Sequence, residues 1–158
     1  MQPDIATATS VGNDTSHERT LYRKEFLKVV LGRAQYIAGK LEQASKMANT
    51  NLFASKDMIL RTSEHFAQAD IYVKHLINSP ENTHQEAAGF NKNVFFEFTP
   101  TQMEEMKVQL DYISEALQYG LTATNGAEFK ERTAEPIQAL NNTITEMSAL
   151  CGVTRKQR

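Results

Sequence analysis

The chain has 158 residues, a net charge of −2 and a single cysteine, Cys151. That length points to one domain able to bury roughly two thirds of its unfolded surface, so the core needs no staples. The lone cysteine excludes an internal disulfide framework, and the near-neutral balance gives no strong global field.

With no Trp, only 7 Gly and little β-branched alternation, the chain does not read as a sheet protein. Its dominant pattern is an apolar rhythm of alternating 3 and 4, which draws a stripe down one side of an α-helix. The rhythm recurs in four segments and predicts an all-α fold, an antiparallel four-helix bundle, with a five-helix version as the variant.

Residues 1–17 are rich in Thr, Ser, Asp and Asn without apolar period, and read as a flexible tail. The domain proper is expected over 18–152. The first helix is predicted from near Glu18 to near Ala48, with the stripe Leu27, Val30, Ala34, Ile37, Leu41, Ala44 and Ala48. Asn49-Thr50-Asn51 is a short polar break, which implies an antiparallel hairpin, and Ser55 is the expected N-cap of the second helix. That helix carries Ile59, Thr62, Phe66, Ala69, Val73 and Leu76; polar Thr62 is a weak spot that a partner helix could cover. It should end near Asn78-Ser79, because Pro80 disfavours helix before it.

Residues 80–98 read as the longest irregular stretch between helices, with Gly89 and the cluster Phe90, Phe95, Phe96 and Phe98. A loop this long is often functional or packed on itself. One reading folds these rings over the open end of the bundle as a core plug. The other exposes them as an anchor for a partner.

The third helix has the clearest start: Thr99 as N-cap, Pro100 at the first helical position, Gln102 closing a capping box, and Phe98 with Met103 as a hydrophobic staple. Its stripe is Met103, Met106, Leu110, Ile113 and Leu117, and Gly120 suits a left-handed stop. Thr124-Asn125-Gly126 is a turn. In the last helical region Pro136 either kinks one helix or lies in the first turn of a helix capped at Thr133; the cap is preferred, because the stripe Ile137, Leu140, Ile144, Met147 and Cys151 begins just after it. Gly152 ends it. Residues 153–158 form a basic tail with Arg155, Lys156 and Arg158.

Charge is uneven. Between His17 and Ala48 there are seven Lys/Arg (Arg19, Arg23, Lys24, Lys28, Arg33, Lys40, Lys46) against three Glu, a surplus of about +4. The third helix is about −3, and the two read as solvated faces, partly complementary across the bundle.

Chemistry-bearing motifs are sparse. Glu81-x-x-His84 stands alone, whereas a di-iron bundle needs two such motifs on helices. His65 and His75 lie ten residues apart and do not stack as an i, i+4 pair. There is no Cys pair for zinc, no glycine-rich phosphate loop and no placed nucleophile. No cofactor, metal or small-molecule substrate is expected, and an enzyme is not expected. With no basic n-region or apolar stretch at the start and no membrane span, a cytoplasmic protein is the expectation.

The leading functional expectation is a non-enzymatic helical protein–protein interaction module of self-assembling, adaptor, chaperone or inhibitor type. Its contact residues would be Phe90, Phe95 and Phe96 of the aromatic loop and Arg19, Arg23, Lys24, Lys28 and Arg33 of the basic first helix. A nucleic-acid accessory role for that helix and the basic tail is the weaker alternative, since no helix-turn-helix or aromatic-basic motif accompanies the charge. The Ala-, Gln- and Thr-rich helices and the segment Thr-Ala-Glu-Pro-Ile (Thr133 to Ile137) also resemble phasins, which coat storage granules. That resemblance implies an amphipathic surface-coating protein.

Overall fold

The computed structural model describes residues 20–79 and 93–152. The expected tails at 1–17 and 153–158, and with them Arg19, Gly89 and Phe90, lie outside the described residues. The elements in order are strand β1 (Thr20–Arg23), helix α1 (Lys24–Met47), helix α2 (Leu52–Asn78), strand β2 (Phe95–Phe98), helix α3 (Pro100–Leu117), a 3-10 turn (Gln118–Thr122) and helix α4 (Gly126–Leu150). The fold is all-α in its main mass, a four-helix bundle.

The apolar rhythm decides the packing. Each helix touches two neighbours: α1 packs on α2 and α4, and α3 packs on α2 and α4. The stripes meet in one core in which Leu27, Ile37, Leu41, Ile59, Leu76, Met103, Ile113, Leu117, Leu140 and Met147 are all but fully buried. Of the expected stripe residues, Ile137 is only half-buried. Thr62 sits in the core as well, its hydroxyl donating to the Ile59 carbonyl 2.8 Å away. Returning the hydroxyl to its own helix satisfies it without a partner, so it is not a gap that needs covering.

The chain enters through a strand, which the sequence reading did not foresee. β1 and β2 pair antiparallel, with Thr20 opposite Phe98, Tyr22 opposite Phe96 and Arg23 opposite Phe95. The Lys24 N–H extends the ladder to the Val94 carbonyl at 2.8 Å. That bond satisfies one of the donors that a helix N-terminus leaves open. α1 therefore starts at Lys24, not near Glu18. The stretch taken as irregular up to residue 98 ends in a strand whose alternation turns Phe96 and Phe98 inward and Glu97 outward. Tyr22 and Phe96 stack with centroids 5.5 Å apart, a cross-strand aromatic pair. Burial among these rings pushes the Tyr22 phenol above its ordinary range.

The α1–α2 hairpin differs from expectation in its cap. Asn51, not Ser55, caps α2, its side-chain oxygen accepting from the Ala54 N–H at 3.1 Å. Ser55 lies one turn inside the helix, fully buried, and its hydroxyl donates to the Ala44 carbonyl 2.6 Å away. That carbonyl belongs to the last turn of α1, where helical partners run out. Ser55 thus closes the C-terminus of the neighbouring helix. Ser55→Ala is expected to lower the unfolding free energy by about 1–3 kcal/mol, because it strands a buried acceptor; urea denaturation of the two proteins reads the difference.

α3 begins as its sequence predicts. The Thr99 hydroxyl accepts from the Gln102 N–H and the Gln102 side chain accepts from the Thr99 N–H, both at 3.1 Å, with Pro100 in the first turn. Its end is different. Gly120 lies inside the 3-10 turn and is not left-handed; among the described residues positive φ occurs at Gly152 alone. Gly120 is required by proximity instead, since a Cβ there would lie 2.6 Å from the Thr133 methyl of α4.

α4 starts seven residues before the preferred cap. Asn125 accepts from the Glu128 N–H at 2.9 Å, and the Glu128 carboxylate reaches back to the Thr124 N–H and hydroxyl at 2.8 and 2.9 Å. Those two donors hold the Glu128 carboxyl below its usual range. Thr133 is an interior core residue donating to the Phe129 carbonyl, and Pro136 is inside the helix. Pro136 cannot donate to the carbonyl four residues back, so one rung of the ladder is lost where its ring fills the core. Gly126 opens α4 against the end of α1, where a Cβ would come within 2.7 Å of the Ala48 backbone.

Candidate functional site

The two ends of the bundle are unlike. The β1–β2 pair closes the end where α1 begins and α4 finishes, and this end gathers five of the eight residues singled out from the sequence, Arg23, Lys24, Lys28, Phe95 and Phe96. A cleft of ≈ 510 Å³ is lined by Lys24, Lys28, Phe95, Phe96, Glu97 and Cys151 among others. The Arg23 guanidinium lies 5.5 Å from the centroid of the Phe95 ring, within cation–π range. Phe95 is half-buried. Phe96 is in the core at 4% exposure, so its ring plugs the bundle and is not offered to the surface; Phe98 is buried beside it.

Lys24 has a structural task in this cleft. A Cβ on Gly152 would stand 3.4 Å from its amine, which places the ammonium beside the C-terminus of α4. The partial negative charge of that helix end favours a cation there. The buried Cys151 thiol is pushed above its ordinary range by desolvation, against the pull of Lys28 and Lys24. It stays a protonated thiol at neutral pH, which makes it a poor nucleophile.

Arg33 is engaged elsewhere. Its guanidinium donates to Nδ1 of His65 on α2 at 2.9 Å. A guanidinium cannot accept, so this contact requires the His65 tautomer with its proton on Nε2. The Tyr36 ring sits 4.6 Å from the same imidazole, and the Lys40 amine 5.5 Å from the Tyr36 centroid. His75 meets Phe26 of α1 with centroids 4.5 Å apart. The two histidines lean on α1 about 15 Å apart along α2, too far to share a ligand. The basic surplus of α1 is not neutralised by α3. The two helices do not adjoin, and the one ion pair between helices among the described residues joins Lys107 of α3 to Asp70 of α2 at 3.8 Å.

The outward face of α2 is the feature that the sequence reading missed. Phe53 is 82% exposed, Leu60 53% and Ile71 58%. At about 100° per residue these three and Ala67 fall within about 40° of each other, roughly opposite the core stripe of the same helix. α2 therefore carries two apolar lines, one buried and one bare. The exposed rings of Tyr112 on α3 and Tyr119 in the 3-10 turn are different, because each has a charged partner on α4. The Tyr112 hydroxyl donates to Glu135 at 2.8 Å, and Arg132 stands 4.7 Å from the Tyr119 centroid. Phe53, Leu60 and Ile71 have no polar group to satisfy. The spacing of 7 and then 11 among them is a helical period, but it was masked by the stronger inner stripe.

Among the described residues no group of three His, Cys, Asp or Glu could hold a metal ion, and no helix is long and apolar enough to cross a membrane. The Glu81-x-x-His84 pair lies outside the described residues. No protein-family model, curated protein or solved structure matches the chain.

Proposed function

We propose that the protein is a non-enzymatic helical interaction module that associates with protein through the outward face of α2. The observation that supports this reading is the second apolar line of α2, with Phe53, Leu60 and Ile71 each more than half exposed on one side of a regular helix. Single exposed apolar side chains are ordinary, but a line of them along a helix has the form of a helix-packing surface. The aromatic loop is a weaker candidate than its composition suggests, since Phe96 and Phe98 serve the core.

The test is a double variant, Leu60→Glu/Ile71→Glu, compared with wild type by light scattering after size exclusion over a hundredfold concentration range. Both positions are exposed, so the melting temperature should stay within a few degrees of wild type. Wild type should associate and the variant should not. Association that survives the double change overturns the reading and returns attention to the cleft at the sheet end.

A further inference from the structure

We infer that the partner of α2 is α2 of a second copy, packed antiparallel about a two-fold axis. This deepens the reading above and rests on it. α2 occupies a corner of the bundle, touching α1 on one side and α3 on the other, so among the described residues no other element stands in front of its outward face. That face follows a heptad track, with Phe53, Leu60, Ala67 and Lys74 at one set of sevens and Asp57, Glu64, Ile71 and Asn78 at the other.

The charges on this track select one arrangement. A parallel pair would set Asp57 against Asp57 and Lys74 against Lys74, and like charges in a seam are unfavourable. In an antiparallel pair the two sets of sevens face each other. One register then places Asp57 of each copy opposite Lys74 of the other, and Leu60 opposite Ile71, each contact occurring twice by symmetry. It also runs Phe53 against Asn78, using the helix over its whole length of about 38 Å. Slipping by seven residues one way sets Leu60 against Glu64. Slipping the other way leaves Phe53 without a facing residue. The matched register joins the apolar pair Leu60 and Ile71 and the charged pair Asp57 and Lys74 at once, with Glu64 facing the small Ala67 beside the two-fold axis.

The existing surface pairs do not oppose this. Asp57 meets Arg61 at 2.7 Å and Lys74 meets Asp70 at 3.3 Å, both within α2. Exposed pairs of this kind are worth a few tenths of a kcal/mol and rearrange readily.

The experiment uses the full chain in three samples: Asp57→Lys, Lys74→Asp, and an equimolar mixture of the two. Each variant alone would face like charge with like charge twice, so its self-association should weaken at least about tenfold against wild type. In the mixture every facing pair is opposite again, so a heterodimer should form at close to wild-type affinity. Because recovery needs both variants folded, it separates a broken interface from a broken fold. Mixing Leu60→Cys with Ile71→Cys under mild oxidation should give a disulfide-linked dimer that neither variant gives alone. A monomeric wild type, single variants that associate like wild type, or a mixture that fails to recover each overturns the self-pairing. If wild type is monomeric while Leu60→Glu/Ile71→Glu abolishes binding to a different protein, the self-pairing falls and the broader function stands. If wild type dimerises and the charge variants do nothing, the interface lies on another face.

Discussion

Phe129→Ala is expected to lower the free energy of unfolding by about 3–5 kcal/mol, the range for removing a fully packed ring. Phe129 has no exposed surface, although it lies in the first turn of α4. Its ring approaches the 3-10 turn so closely that a Cβ on Gly120 would be 3.6 Å from it, and its carbonyl accepts the Thr133 hydroxyl at 2.8 Å. The side chain therefore locks the start of α4 to the end of α3. Guanidinium titration of wild type and variant gives the difference directly. A neutral result would mean that α4 begins near Thr133 and that residues 126–132 form a surface turn. A large loss supports a helix running from Gly126 through Pro136.

Phe96→Ala is expected to cost about as much, again roughly 3–5 kcal/mol, whereas Phe95→Ala should cost well under half of that. The contrast follows from the strand. Phe96 points inward, stacked on Tyr22 and 6.2 Å from the Phe98 ring. Phe95 points outward, half-buried under Arg23. Thermal unfolding of the two single variants separates the positions. Equal losses would mean that the strand alternation is shifted by one residue, since a one-residue slip exchanges the two faces. Loss of self-association without loss of stability in Phe96→Ala would place that ring at a surface.

What the sequence made legible was the inward face of each helix. A residue such as Leu110 or Ile113 is decided by a local period, and period is written in the chain itself. The Thr99–Gln102 box was legible for the same reason, because a cap lies within four residues of what it caps. The strand pair was not, since β1 is four residues long and its partner lies far along the chain. Nothing in Thr20–Arg23 distinguishes it from a first helical turn until Phe96 is there to stack on Tyr22. The start of α4 was misplaced because Pro136 was read as a boundary. Asn125-x-x-Glu128 carried a capping signal of its own, and the helix absorbs the proline by giving up one hydrogen bond. Ser55 was read as a cap for its own helix, when its buried hydroxyl serves the helix before it; only packing reveals that. At the candidate site, the sequence marked the basic residues as one set along the first helix; the fold divides them, with Arg23, Lys24 and Lys28 at the sheet end and Arg33 on His65. The bare line of α2 went unseen because one helix was credited with one face.

The strand pair has a consequence for the order in which the molecule assembles. α1 and α2 are joined by a short break and can zip together as soon as both exist, whereas β1 must wait for β2. Once that hairpin has formed, the end of α2 lies beside the beginning of α1, and the entropy of bringing the strands together falls to that of the chain between residues 79 and 95. The sheet is then a late clasp on a bundle already half built. Weakening it at Tyr22 or Phe96 is expected to leave the rate of folding almost untouched and to let the native state open faster, which stopped-flow refolding and unfolding of the variants would read. On that order of events, the lifetime of the folded molecule should answer to the strand end and its speed of formation to the helices.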